Sequence, residues 1–244
     1  MSTPRLVRLE RVESTQDVLH ALAADGAPAG TAVAAMEQSG GRGRRGRVWS
    51  SPPGGVWLSV LYRPPRGDAT ELLGLRIGLA AAAALDAAVG ARALTLKWPN
   101  DLMLGDAKVG GILCEARWQG HAPAWVASGI GVNVRNAPPA DARLPGARLA
   151  DRLPALAVDD VLAPLLQSLR AVDSSGAALS AEELTAFGAR DWLRGRTISE
   201  PLSGVAEGID ASGALLVRTP GGAVDRVRAG TVVPAGVQAG SLHP

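Results

Sequence analysis

The chain has 244 residues, 47% hydrophobic and 20% charged, with a formal net charge of +2. That suits a packed globular protein of one large domain, or a domain with a small appendage, and argues against a generally basic nucleic-acid-binding protein. The single cysteine excludes an internal disulfide and, with only three histidines, argues against a protein zinc site.

In chain order, residues 6–12 alternate and predict a strand. Ser14 is placed to cap a helix carrying Val18, Leu19, Leu22 and Ala23, with Asp17 in the acceptor place of a capping box. On spacing alone Ser14 and Thr15 simply start this helix; the alternative is a polar ligand site at its N-terminus. Residues 31–36 form a short apolar strand leading through Glu37-Gln38-Ser39 into Gly40-Gly41-Arg42-Gly43-Arg44-Arg45-Gly46-Arg47-Val48-Trp49. Arginines spaced by glycines, with no acidic residue among them, read as an anion clamp. Guanidinium forks match carboxylate and phosphate, glycine lets the backbone approach a ligand, and the tryptophan offers a ring face. The Ser-Ser-Pro-Pro-Gly-Gly stretch at 50–55 cannot be helix.

Residues 56–62 alternate as a strand, and residues 71–89 predict a long Leu- and Ala-rich helix ending at Gly90. Residues 94–97 are a strand that runs into Trp98-Pro99-Asn100-Asp101. Residues 102–104 and 109–115 form a hairpin through Gly105-Asp106, with Lys108 opening the second strand ahead of Gly110-Gly111. Residues 125–134 are a strand containing Gly129-Ile130-Gly131-Val132-Asn133, and 136–145 a proline-rich loop. Residues 158–171 and 181–192 read as helices, the second capped by Ser180 with Glu183 at the capping-box position. From Arg196, short strands broken at 201–204, 210–213 and 220–222 suggest a small β-barrel, followed by a disordered tail. The longest apolar run, 77–85, is too short for a bilayer. Residues 1–13 lack the apolar core of a signal peptide. A cytoplasmic protein with no membrane partner is expected.

Gly41-x-Gly43-x-x-Gly46 matches the dinucleotide fingerprint and, with Val48, the kinase glycine loop. Context rejects both. Pro52 and Pro53 follow where a Rossmann helix would begin, and the chain has no His-Arg-Asp or Asp-Phe-Gly segment. As a P-loop, the stretch has Val48 where a magnesium-binding hydroxyl belongs. Asn100 and Asp101 read equally as turn residues or as metal or ribose ligands, and Lys108 as a solvated lysine or a ligand group. Cys114, in an apolar run, reads as buried and inert. Neither His20 nor His243 has the setting of a general base.

Together, Ser14-Thr15-Gln16, residues 38–49, Lys97-Trp98-Pro99-Asn100-Asp101, residues 108–115 and Gly129 to Asn133 resemble the catalytic part of biotin–protein ligases. Residues 208–215 resemble that family's small C-terminal barrel, so the resemblance runs along nearly the whole chain. It implies an α+β fold: a mixed β-sheet catalytic domain with packed helices, class II synthetase-like, over 1–195. An SH3-like β-barrel over 196–235 and a tail over 236–244 complete it. The implied reaction is ATP-dependent activation of biotin to biotinyl-5′-adenylate, then transfer to a lysine of a biotin carboxyl carrier domain of a carboxylase. ATP, biotin and Mg2+ are the implied cofactors.

By resemblance, Lys108, Arg44 and Asp101 are catalytic, and Asp101 holds magnesium. Ser14, Thr15, Gln16, Gln38, Arg42, Gly43, Arg44, Lys108, Gly111 and Gly131 bind biotin. Arg42, Arg44, Arg45, Arg47, Trp49, Asn100 and Asn133 bind the nucleotide, with Gly129 in the floor. The glycine–arginine loop is expected to order over the adenylate and exclude water. Lipoate or octanoate transfer on the same scaffold is the alternative, and a nucleic-acid-binding module a remoter one. The chain departs from the family at Gln16, where asparagine is usual, and at Ala229-Gly230-Thr231, where Gly-Gly-Glu is frequent. With thirteen residues before Ser14, a winged helix-turn-helix and a DNA partner are not expected; a homodimer is compatible with the resemblance.

Overall fold

The computed structural model describes residues 3–138 and 144–235. The expected tail at 236–244 and part of the loop at 136–145 lie outside these.

The N-terminal part is built on a seven-stranded sheet. Its strands are β1 (Leu6–Val12), β2 (Ala32–Gln38), β3 (Gly55–Tyr62), β4 (Leu94–Lys97), β5 (Asp101–Leu104), β6 (Ala107–Gln119) and β7 (Ala122–Asn133). Their spatial order is β1-β2-β3-β7-β6-β5-β4. Only β1 and β2 run parallel; the other neighbours are antiparallel. Alternation along the strands divides the core between two faces. On one face Val33, Leu61 and Ala127 pack with Leu19 and Ala23 of α1 (Thr15–Ala24). On the other, Leu58, Val60 and Tyr62 pack with α2 (Gly67–Val89) and α3 (Val158–Arg170). Burying Leu19 and Leu61 completely contributes roughly 1.5–3 kcal/mol each.

α2 starts four residues before the expected helix and ends as expected at Gly90, which takes the left-handed conformation at φ 71°. By length and composition α2 is long and apolar enough to cross a membrane, but 56% of its apolar window is buried in the protein. It is the central core helix.

Two expectations need correction. The helix read over 181–192 stops early: α4 spans Ala181–Gly188. The next residues lie beside β4, where Leu96 N–H donates to Arg190 O at 2.8 Å and Trp192 N–H to Leu96 O at 2.9 Å. An ion pair from Arg190 to Asp86 (2.6 Å) draws the chain there, and the ladder covers an open sheet edge. The strand read over 125–134 begins earlier. β6 and β7 form one long hairpin turning at Gly120 (φ 59°); Pro123, which interrupts the strand pattern, conceals it.

Beyond α4, the chain forms β8 (Thr197–Glu200), β9 (Gly204–Ile209), β10 (Leu215–Arg218), β11 (Val224–Val227) and β12 (Val233–Pro234). They make one antiparallel sheet, ordered β11-β10-β9-β8-β12. Asp210 Oδ1 accepts the N–H groups of Ser212 and Ala214, closing the β9–β10 turn. That turn is fastened to the larger sheet because Trp98 Nε1 donates to Gly213 O at 2.9 Å. Gly213 (φ 77°) presses so closely on Leu72 and Leu75 of α2 that a Cβ would fall 2.8 and 2.9 Å from their methyls.

Candidate active site

The α1 face of the large sheet opens into a cleft of about 860 Å3. Every residue expected at the site borders it, from Ser14, Thr15, Gln16 and Gln38 through the loop arginines to Asn100, Asp101, Lys108 and the glycines of β6 and β7. The sheet supplies a glycine floor. Gly111 and Gly131 face each other in register on β6 and β7, and the Trp49 indole lies on them. A Cβ at Gly111 would sit 3.3 Å from the ring, and one at Gly131 would run into Nε1. Trp49 Nε1 is buried without a partner among the described residues. Lys108 Nζ stands over the same ring, 5.1 Å from its centroid.

One end of the cleft is a fixed polar chain. Thr15 gives its backbone N–H and its hydroxyl to Gln38 Oε1 at 2.9 and 3.0 Å. Thr15 Oγ1 is also 2.8 Å from Ser59 Oγ; with the Thr15 proton on Gln38, Ser59 is the donor. Gln38 Nε2 donates to Ser51 Oγ, which donates to Trp49 O. Gln16 Nε2 donates to Leu113 O and Ala127 O, each at 3.2 Å, and leaves Oε1 as an acceptor against Gly129. Ser14 Oγ caps the Gln16 N–H at 3.3 Å. Asp17 takes no part in a capping box, as it carries the Arg42 guanidinium instead (2.7 and 2.8 Å).

The other end gathers charge. Lys108 Nζ is 2.6 Å from Asp101 Oδ1 and Lys97 Nζ 3.4 Å from Oδ2. Burial alone would raise the Asp101 carboxyl, but the two lysines outweigh it and hold it below the ordinary carboxylate value. Burial lowers Lys97, against the pull of Asp101. Arg44 Nη1 donates to Asn100 Oδ1 at 3.2 Å, and its own value is lowered by burial and then by Arg45. The lining holds Arg42, Arg44, Arg45, Arg47, Lys97 and Lys108 against Asp101 and Glu200. The cleft therefore favours a polyanion.

Three further expected ligand residues also have side chains engaged by the protein. Asn133 donates to Ala147 O and accepts from Asn136, at 3.1 and 2.9 Å. Asn100 donates to Ile112 O while accepting from Arg44. Arg42 binds Asp17 and Glu115. Conversely, Lys97, Ser59 and Thr231 were missed. Thr231 Oγ1 accepts from Arg47 Nη2 (3.1 Å) and Arg45 Nη1 (3.4 Å), bringing the small sheet's last turn onto the loop. Lys97 was visible in its motif and Thr231 in the departure at Ala229-Gly230-Thr231; Ser59 has no local signal.

Residues 9–133 match the Biotin/lipoate A/B protein ligase family. The chain is 39% identical over 206 residues to a biotin–[acetyl-CoA-carboxylase] ligase of Paracoccus denitrificans, 78% of this chain and 85% of that one. The chain belongs to this ligase family. Its residues 194–233 match the biotin protein ligase C terminal domain. A further relative is the bifunctional ligase/repressor BirA of Escherichia coli, 42% identical over 107 residues; the match spans 43% of this chain and 33% of BirA. Among solved ligases, that of Aquifex aeolicus in complex with biotin and ATP superposes with a TM-score of 0.76 at 26% identity, over 95% of this chain and 99% of that chain. The Leishmania major ligase in complex with biotinyl-5-AMP superposes at 0.65, also 26% identical, over 93% and 99%.

Within this ligase family the thiol chemistry of acyl transfer finds no support here. Burial pushes the Cys114 thiol up to about 11, and it pairs with Ser128 Oγ at 3.3 Å. A thiol protonated at neutral pH is a poor nucleophile. Among the described residues, no three His, Cys, Asp or Glu side chains come together to hold a metal. Asp101 is a lone carboxylate with both oxygens facing lysines. Such a group fits a magnesium ion only alongside phosphate oxygens.

Proposed function

We propose that this ligase joins biotin to ATP as biotinyl-5′-adenylate and then transfers the biotinyl group to a lysine of a carrier domain. The observation that carries the reading is the division of one cleft into a neutral, pre-bonded end around Thr15 and Gln38 and a cationic end around Lys108 and Arg44. A neutral bicyclic head with a carboxylate tail suits the first; a triphosphate suits the second.

In the first step a carboxylate oxygen of biotin attacks the α-phosphorus of MgATP, and the bond to pyrophosphate breaks. The barrier is largely the approach of two anions, so fixed positive charge contributes most. Lys108, standing over Trp49 at the cationic end, is the group assigned to the reacting carboxylate and α-phosphate. Arg44, Arg45 and Arg47 are assigned to the phosphates, Trp49 to the adenine, and Asp101 to carrying lysine charge and one position of the MgATP cation. In the second step the carrier amine attacks the mixed-anhydride carbonyl and AMP leaves. The carrier is a biotin carboxyl carrier domain, the setting cytoplasmic, and a homodimer the assembly compatible with this reading; the small unit is taken to begin at residue 196.

The test is acid-dependent exchange of pyrophosphate into ATP. Biotin should support exchange, and lipoate and octanoate should not. Exchange with only the latter acids would replace the biotin reading with the lipoate one.

A further inference from the structure

The Arg42 guanidinium has four of its five N–H groups engaged by protein. Nη1 and Nη2 reach the two Asp17 oxygens at 2.7 and 2.8 Å, and Nε and Nη2 reach the Glu115 oxygens at 3.3 and 3.0 Å. It is thus tied to α1 and β6 at once, at the root of the glycine–arginine loop. Glu115 Oε2 also faces His20 Nε2 at 3.2 Å, and His20 Nδ1 accepts the indole N–H of Trp125 at 2.9 Å. The indole has only a proton to offer, so Nδ1 carries the lone pair and the ring proton sits on Nε2, donating to Glu115. His20 is nine-tenths buried. Arg63 covers the Trp125 ring, 5.8 Å from its centroid.

We propose that Trp125, His20 and Glu115 form a positioning chain that fixes Arg42, and that Arg42 roots the loop rather than clamping phosphate. Each link has a defined direction: Trp125 sets the His20 tautomer, His20 orients the Glu115 carboxylate, and Glu115 with Asp17 holds the Arg42 fork. Backbone contacts carry the restraint onward. Arg42 and Val48 form a bridge across the loop, and Gly43 N–H donates to Arg47 O at 2.8 Å. With Arg42 fixed, Arg44, Arg45 and Arg47 remain the loop's cations for the polyanion. This assignment refines the ligase reading and rests on it only where substrate kinetics are concerned.

The decisive measurement is limited trypsin digestion of the intact chain, scored as cleavage after Arg44, Arg45 and Arg47. His20→Phe keeps a ring and loses both hydrogen bonds; Glu115→Gln loses the charge that holds Arg42. Each should speed loop cleavage roughly tenfold, the weight of one charge-assisted hydrogen bond. His20→Gln retains an N–H donor toward Glu115 and should restore the slow rate. In an Arg42→Ala background His20→Phe should add nothing, since the chain then ends on no cation. With biotin and MgATP, the same variants should raise KM more than they lower kcat. Unchanged cleavage in both His20→Phe and Glu115→Gln, or the same increase when Arg42 is absent, overturns the proposal. If His20→Phe fails to fold, Glu115→Gln at the partly exposed link decides the matter. Digestion needs no substrate, so its failure is distinguishable from failure of the exchange assay.

Discussion

Lys108 Nζ lies 2.6 Å from Asp101 Oδ1 across the β5–β6 hairpin, while Lys97 holds the second carboxylate oxygen at 3.4 Å. Asp101 is thereby compensated twice, and Lys108 is the more exposed of the two lysines, at 20% against 6%. Lys108 is the one able to turn toward a phosphate while Lys97 keeps the carboxylate paired. Lys108→Ala should lower biotin-dependent pyrophosphate exchange by about 10²–10³. It should cost only about 1 kcal/mol of stability, because Asp101 keeps one partner. Exchange and thermal melting measured on the same preparation check this, and near-normal exchange would remove Lys108 from the chemistry.

Asp101→Asn should behave differently. It leaves Lys97 buried beside Lys108 with no carboxylate, and breaking a buried pair from one side costs roughly 3–5 kcal/mol. A fall in melting temperature should accompany the loss of exchange. The direction of the Asp101 shift gives a second handle. Its folded value lies below the ordinary carboxylate value, so its stabilising contribution is present above about pH 4 and is lost only as acid falls through the lower folded value. Acid destabilisation setting in well above pH 4 should therefore persist in Asp101→Asn, which a pH series of melting curves would show.

The glycine floor separates two kinds of damage. A Cβ at Gly131 strikes the Trp49 indole at Nε1, a side chain on a loop that borders the open cleft. A Cβ at Gly110 lies 2.7 Å from Gly131 O and 3.1 Å from Leu102, backbone and core rather than a loop side chain. Gly110→Ala should lower stability by about 1–3 kcal/mol. Gly131→Ala should leave the melting temperature nearly unchanged, alter tryptophan emission and raise KM for biotin and MgATP. The opposite pattern would contradict the placing of Trp49 on the floor.

These contrasts also mark what the sequence could convey. Strand alternation placed Leu58 and Val60 on one face and Ser59 and Leu61 on the other, so most of the sheet was readable from a period of two. The cleft residues were readable because each sits in a short motif whose residue types limit its chemistry. What failed was decided by distant partners. The end of α4 depends on Asp86 reaching Arg190 across more than a hundred residues of chain. Asp17 looked like a capping-box acceptor because local spacing allowed it, yet a guanidinium twenty-five residues on binds it better. Thr231 meets the arginine loop from 184 residues away in the chain, on a small sheet that Trp98 helps to fasten beside it.

Thr231 itself offers a measurable contribution. A hydroxyl accepts from Arg45 and Arg47 without cancelling their charge. Thr231→Val removes the acceptor at an exposed site and should raise KM for MgATP only a few-fold, about 0.5–1 kcal/mol. Thr231→Glu supplies a carboxylate that competes with the triphosphate for both arginines. It should weaken MgATP binding more than Thr231→Val does, with biotin KM little changed. Equal effects of the two variants would show that the arginine charges do not serve the nucleotide.

His20 supplies the last prediction. Burial lowers its value below that of a free histidine; hydrogen bonding to Glu115 and the charge of Asp17 oppose the shift, and Arg117 adds to it. Arg42 binds both oxygens of the same Glu115 carboxylate, sharing Oε2 with His20, and Arg63 lies on Trp125. Protonation would also place a proton on Nδ1 facing the Trp125 N–H, so the folded state resists it. Between the depressed folded value and about 6.5, the unfolded chain binds a proton that the folded chain does not, and stability must rise with pH through that window. The melting temperature of the wild-type chain should therefore fall as pH drops below about 6.5 and stop responding to this group once His20 protonates in the folded state. His20→Gln keeps an N–H donor toward Glu115 but cannot titrate, so its melting temperature should be flatter across the same range. A slope identical to wild type would assign the titration to another group and leave the His20 tautomer without thermodynamic support.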